Sequence, residues 1–310
     1  TERSPITAAG LPRPGLKLSQ TKAPGADDWA GSHLRLWPRA LWEWVTTLLH
    51  KVEVEGRWPG VLRHSVVALL PKDGTGAALD YRPVVLLPLI YRMWARLRAQ
   101  DMARWLERAG ICPLEGQSKG AEEHGLLLAT MLEAARANYI AGGGLALDFS
   151  KAYDKLKLQL LQTLARKARL PDWLWKPMLD MYAAPRRVKI GGTVGSLRTP
   201  THGLVPGCPA ATFWMAICTF PWIQGMRALA SSPSVRGWMD DITAYVAGSE
   251  EAKSMASEGA RLAIMYEQCG FVINRKKSGC AATSPDTERG MVESAGILGL
   301  QVQGALKDLG

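Results

Sequence analysis

The sequence predicts an α+β fold, a sheet with helices packed on one face. Three observations predict it. From Gly144 onward the order of apolar patterns is strand, helices, hairpin, helix, hairpin, helix, strands, which matches neither an all-helical nor a strictly alternating chain. The apolar runs that read as strands are short and bounded by Gly, Pro or Asp, whereas the others repeat at helical spacing. Of 310 residues, 47% are hydrophobic and 21% charged, the composition of a chain that buries a core. No internal repeat is apparent.

Taken in order, residues 1 to about 33 are rich in Pro, Gly and Lys and read as an extended arm with a turn at 22–27. A helix is expected over 38–52, where Leu41, Trp44, Val45, Leu48 and Leu49 recur on one face. Residues 61–70 read as a strand closed by Pro71, followed by a polar loop at 72–76. A long helix over 89–109 ends at Gly110, and another covers 121–140. After Gly142, Gly143 and Gly144 comes the apolar run Leu145, Ala146, Leu147, ending on Asp148, as a buried strand delivers a ligand to its edge. One helix is then expected over 153–169 and another from Asp172. Residues 187–190 and 194–199 resemble a hairpin, and a helix spans 209–230. Residues 235–238 and 242–246 flank Met239-Asp240-Asp241 as a second hairpin. A helix over 250–269 leads into Phe271-Val272-Ile273, with the last strands near 297–302.

Charge narrows the partners. Lys and Arg number 38 against 28 Asp and Glu, a net +10 that suits a polyanion such as RNA or DNA. Five scattered cysteines without a CxxC pair argue against a disulfide framework or a zinc module and fit reduced thiols, partly in the core. No apolar run reaches membrane-spanning length, and no secretory signal pattern is present. The expectation is an intracellular protein, nuclear in a eukaryotic host. The first residue is Thr1, which reads as an internal cut through a longer frame. Of the twelve tryptophans, Trp42, Trp44, Trp94 and Trp214 are expected in the core.

The carboxylates carry the chemistry. Adjacent Asp240 and Asp241 in a tight hairpin, with Asp148 at the end of a neighbouring strand, could hold two divalent ions roughly 3.5–4 Å apart for phosphoryl transfer. Clustered carboxylates repel without a cation, which favours metal occupancy. Either feature alone is weak, because Asp suits turns and caps helices.

Their company is informative. The segment Leu145-Ala146-Leu147-Asp148-Phe149-Ser150-Lys151-Ala152-Tyr153-Asp154 resembles the first catalytic motif of reverse transcriptases of non-LTR retrotransposons and group II introns. Val235-Arg236-Gly237-Trp238-Met239-Asp240-Asp241 resembles their aromatic-x-Asp-Asp motif. Gly203-Leu204-Val205-Pro206-Gly207-Cys208-Pro209 is similar to their Gly-x-x-Gln-Gly-x-Pro block. Upstream, Pro71-Lys72 with Tyr81-Arg82-Pro83-Val84 resembles the fingers signature, and Pro24-Gly25-Ala26-Asp27 the element before it. Downstream, Gly270-Phe271-Val272-Ile273-Asn274-Arg275-Lys276-Lys277-Ser278 and Leu298-Gly299 resemble the last two blocks. Seven blocks stand in the family's order from about residue 22 to 303.

The resemblance implies an RNA-directed DNA polymerase with a right-hand fold. Fingers over 34–140 follow the arm of 1–33. A ferredoxin-like antiparallel palm covers 141–304, and residues 305–310 begin the connection to a thumb that is absent or truncated. It implies Asp148, Asp240 and Asp241 as ligands of two Mg2+ ions, with Mn2+ as the alternative ion and the Phe149 carbonyl as a further metal contact. Lys72 and Arg82 would hold the triphosphate, Tyr153 would exclude a 2′-hydroxyl, Gly207 would let backbone approach the nucleotide, and Lys277 would protonate pyrophosphate. The partners would be an RNA template, a DNA primer and deoxynucleoside triphosphates, the hybrid being held by shape and backbone. The sequence departs from the pattern at Pro206, where Gln is usual, at Ala210-Ala211, where Ser-Pro is usual, and at Trp238, where Tyr or Phe is usual. Two alternatives stand beside this reading: a domesticated nucleic-acid-binding remnant, and an RNA-templated RNA polymerase on the same palm.

Overall fold

A computed structural model describes residues 3–11, 23–71, 81–111, 121–190, 192–238 and 240–302. Among them the strands are β1 (Ser65–Pro71), β2 (Tyr81–Leu86), β3 (Gly142–Asp148), β4 (Arg186–Ile190), β5 (Thr193–Val194), β6 (Ser234–Trp238), β7 (Asp241–Ala247), β8 (Gly279–Ala282) and β9 (Gln301–Val302). The helices are α1 (Arg39–Glu55), α2 (Leu89–Arg108), α3 (Ala121–Ala137), α4 (Ala152–Lys155), α5 (Leu158–Lys167), α6 (Asp172–Tyr182), α7 (Ala211–Arg227), α8 (Ser249–Gln268) and α9 (Pro285–Ser294). The fold is mixed α+β. The chain forms two compact units that interleave in sequence: Thr1–Ala109 with Leu156–Trp214, and Gly110–Lys155 with Met215–Gly310.

The first unit carries a sheet in the order β2-β1-β4-β5. β1 pairs antiparallel with β2 and parallel with β4. Residues 61–64, expected in β1, instead form a short 3-10 turn and a connector, so the strand begins at Ser65. α1 stops where Gly56 takes φ +71°, a left-handed cap that glycine adopts without Cβ strain. Its buried stripe, Trp42, Val45, Leu49 and Val52, follows helical spacing. Trp44, expected in the core, points outward at 58% exposure. Trp58, Tyr91 and Trp94 form an aromatic cluster with centroids 5.4–5.9 Å apart. Beside it the fully buried Arg98 guanidinium meets Glu53 at 2.6 Å and Asp101 at 2.6 Å.

The second unit carries the sheet β6-β7-β3-β8-β9. Every pair is antiparallel except β8–β9, which is parallel, so the expectation of a purely antiparallel sheet is corrected at its last edge. The expectation of helices on one face is corrected as well. Gly143 and Leu145 face α8 and α9: a Cβ at Gly143 would lie 3.1 Å from Ala252 Cβ and would strike Met291 Sδ. Gly144 lies opposite both Tyr245 and Ala281, and those two pack against Leu132 of α3. Successive strand residues point to opposite faces, so α3 lies on the face that α8 and α9 leave open.

The same contact explains why Gly143 is a glycine within β3. α8 contributes a small-residue stripe, Ala252, Ala256, Gly259, Ala260 and Ala263, that approaches the strand closely. The expected helix over 153–169 is two helices. The chain breaks between α4 and α5, where Leu156 accepts from Gly203 N and Thr201 accepts from Leu158 N. Phe271 to Ile273 form an isolated bridge to Phe149, and the strand that follows, β8, is the one that pairs along β3.

Candidate active site

The site is built at one end of the second sheet. β6 and β7 form a tight hairpin in which Trp238 lies opposite Asp241, with Asp240 in the turn. β3 runs alongside β7 and ends on Asp148 directly opposite Asp241. Because Gly144, Ala146 and Asp148 alternate onto one face, both carboxylates stand on the side away from α8 and α9. Antiparallel register thus brings together two acids 93 positions apart, and the turn sets Asp240 next to them.

Their electrostatics follow from that crowding. Burial, then the charges of Asp240 and Asp148 and a hydrogen bond to the Asp148 carboxylate, push Asp241 up to about 7. Asp240 is raised by burial and by the charge of Asp148. Lys277 pulls both in the other direction, so its ammonium lies within electrostatic reach of the pair. At neutral pH and without a cation, Asp241 therefore keeps a proton for part of the time.

Phe149 continues β3 into a bridge with Ile273. The bonds of that bridge use the Asp148 carbonyl and the Ser150 amide. Alternation along the strand therefore turns the Phe149 carbonyl to the opposite edge, the side on which β7 runs. Its ring points into the core, 5.9 Å from Tyr266 and 5.1 Å from Phe271. Lys151, at φ +51°, turns the chain into α4, which carries Tyr153. The Tyr153 phenol is pushed up by burial and then by the charges of Asp240 and Asp241, which sets it beside the same pair.

Other expected residues are placed differently. Gly207 belongs to the first unit, in a loop where φ is +89° and a Cβ would meet nothing within 4 Å, so backbone conformation rather than packing calls for glycine. The neighbouring Pro206 carbonyl accepts from Val85 N at 3.4 Å. Arg82 sits in β2 opposite Leu70, with its side chain outside the described residues; Lys72, the thumb connection over 305–310 and Met239 are also outside them. Ser278 closes the Gly270–Ser278 block but carries no role in the sequence reading; its hydroxyl accepts from the Asp148 amide at 3.0 Å. Only the strand register brings that contact to light.

Among the described residues, no group of three or more His, Cys, Asp or Glu already forms a metal cage. The donor set nonetheless suits a hard divalent ion, which takes one or two carboxylates and keeps waters. The mutual repulsion at Asp241 is what such a cation relieves.

No protein-family description and no curated protein matches this chain. Among solved structures, it is similar to apo telomerase from Candida tropicalis truncated from its C-terminal domain, at 11% identity and a TM-score of 0.49. The match covers 79% of this chain and 56% of that one, so the chain spans little more than half of that structure's length. No helix among the described residues is long and apolar enough to cross a membrane.

Proposed function

We propose that this chain is an RNA-directed DNA polymerase of the non-LTR retrotransposon kind, extending a DNA primer on an RNA template. The second unit would be its palm, with the β1–β2 hairpin among its fingers. The observation that carries the reading is the register that sets Asp148 opposite Asp241, with Asp240 in the adjoining turn. The ordered motifs supply the reaction class; the register supplies a site capable of it.

Asp148, Asp240 and Asp241 would hold two Mg2+ ions, with the Phe149 carbonyl directed to the same edge. The ions, when bound, supply Lewis-acid stabilisation of the attacking and leaving oxygens. The chain's own groups do the rest. Lys277, an exposed ammonium near the pair, would give a proton to the departing pyrophosphate. Tyr153, beside the carboxylates, would fill the space a 2′-hydroxyl needs. The net charge of +10 serves the phosphate backbone.

Asp240→Asn is the test. It should abolish extension of an oligo-dT primer on poly-rA in Mg2+, while RNA affinity changes less than about twofold, because a carboxylate contributes nothing favourable to backbone contacts. Retained polymerisation would refute the assignment.

A further inference from the structure

The strand that carries Asp148 has an interruption on its other edge. β3 and β8 pair from Gly143 opposite Ala282 to Ala146 opposite Gly279. Beyond Gly279, residues 274–278 leave the strand line as a turn, with Asn274 O accepting from Lys277 N at 3.0 Å and from Ser278 N at 2.8 Å. Pairing resumes farther along: Asn274 N donates to Asp148 O at 2.8 Å, and Ser150 N donates to Val272 O at 2.7 Å. The turn therefore takes the carbonyl that a continuous strand would offer the Asp148 amide out of line. Ser278 Oγ occupies its place, accepting from that amide at 3.0 Å and lying 3.4 Å from the Asp148 carbonyl oxygen. Ser278 is fully buried, so water does not substitute for it.

We infer that Ser278 is a positioning residue of the carboxylate site, its hydroxyl fixing Asp148 in register with Asp241 and fastening the Lys277-bearing turn to the same point. The inference rests on the proposed metal-holding role of the carboxylates. One short turn then grips Asp148 through its amide (Ser278) and its carbonyl (Asn274), and carries a lysine whose charge reaches Asp240 and Asp241. The acid that would hold the ion and the ammonium beside it are thereby kept at a fixed spacing.

The test measures Mn2+ binding to the full chain by the loss of free-ion electron paramagnetic resonance signal, with no substrate present. Ser278→Ala should weaken binding about tenfold, the lower end of what orienting groups contribute to metal sites, and Ser278→Thr, which keeps the hydroxyl, should restore most of it. Equal binding by Ser278→Ala and wild type overturns the positioning role alone, and so does a threonine variant as weak as the alanine one. A wild-type chain that binds no Mn2+ overturns the carboxylate reading and this inference with it. A readout that needs no variant to fold is amide exchange in the wild-type chain. The Asp148 N–H should exchange as slowly as the paired amides of β3, and rapid exchange at that one position overturns the inference.

Discussion

At the scale of the residue, Asp241 is where the site's chemistry opposes folding. Its carboxyl titrates near 7 in the folded chain against an ordinary value of 3.8. Between those values the folded state holds a proton that the unfolded state has lost, so stability falls as pH rises through the window. The contribution is complete below about pH 4 and gone above about pH 7. Asp241→Asn removes the titration. The metal-free variant should melt higher than wild type at pH 8, the difference should vanish at pH 4, and added Mg2+ should favour wild type again. Thermal melts across that pH range check it, and a variant less stable than wild type at pH 8 without metal would sink the account. Tyr153 carries a second prediction. Tyr153→Ala should raise ribonucleotide over deoxyribonucleotide use by at least tenfold in primer extension; if wild type already uses both equally, Tyr153 is not the gate.

At the scale of the element, the sequence made the strongly patterned pieces legible and concealed those set by contact. α1, α2, α8 and the β6–β7 hairpin lie within a few residues of their expected bounds, because periodicity, Gly110 and the central aspartates mark them. β8 is Gly279-Cys280-Ala281-Ala282, with no β-branched or aromatic residue, and exists because β3 offers it an edge. The break between α4 and α5 arises from pairing with residues 201–203, distant in sequence. The convergence of Asp148 and Asp241 was legible because the motifs mark both strands, whereas the bond between Ser278 and the Asp148 amide was not, since it depends on which strand that turn interrupts. β4 carries a prediction at this scale. Arg187 and Lys189 alternate onto one exposed face and line a cavity of about 750 Å³ in the first unit with Arg63, His64 and the buried Ser65, whose hydroxyl has no hydrogen-bond partner among the described residues. Such a wall suits phosphates of a single strand. Replacing Arg187 and Lys189 together by Ala should cut the slope of log affinity against log salt for single-stranded RNA by about 1.4, at ~0.7 per phosphate contact. An unchanged slope would mean that β4 contacts no backbone.

At the scale of the whole molecule, the first unit is fastened by contacts between segments far apart in the chain. Residues 3–11 read as an unattached arm because they lack periodicity, yet Ile6 and Leu11 are 3% and 1% exposed. Ser4 reaches Asp101 through its hydroxyl at 2.7 Å, and its carbonyl accepts from Arg98 at 2.7 Å. Arg98 in turn joins α2 to Glu53 of α1, which also accepts from Trp94 Nε1 at 2.7 Å. An arginine so placed is costly to desolvate and costlier to remove, because two buried carboxylates would lose their counter-charge. Arg98→Met should therefore lower the stability of the first unit by about 3–5 kcal/mol. Deleting residues 1–11 should cost a comparable ~3–6 kcal/mol through the loss of two buried aliphatic side chains. Urea unfolding followed by tryptophan fluorescence reads both, since Trp58 and Trp94 lie in that core. If the ion cluster rather than the volume of Arg98 is what matters, adding Glu53→Gln and Asp101→Asn to Arg98→Met should recover part of the loss. A triple variant no more stable than the single one would show that packing, not charge, joins the N-terminal segment to the two helices.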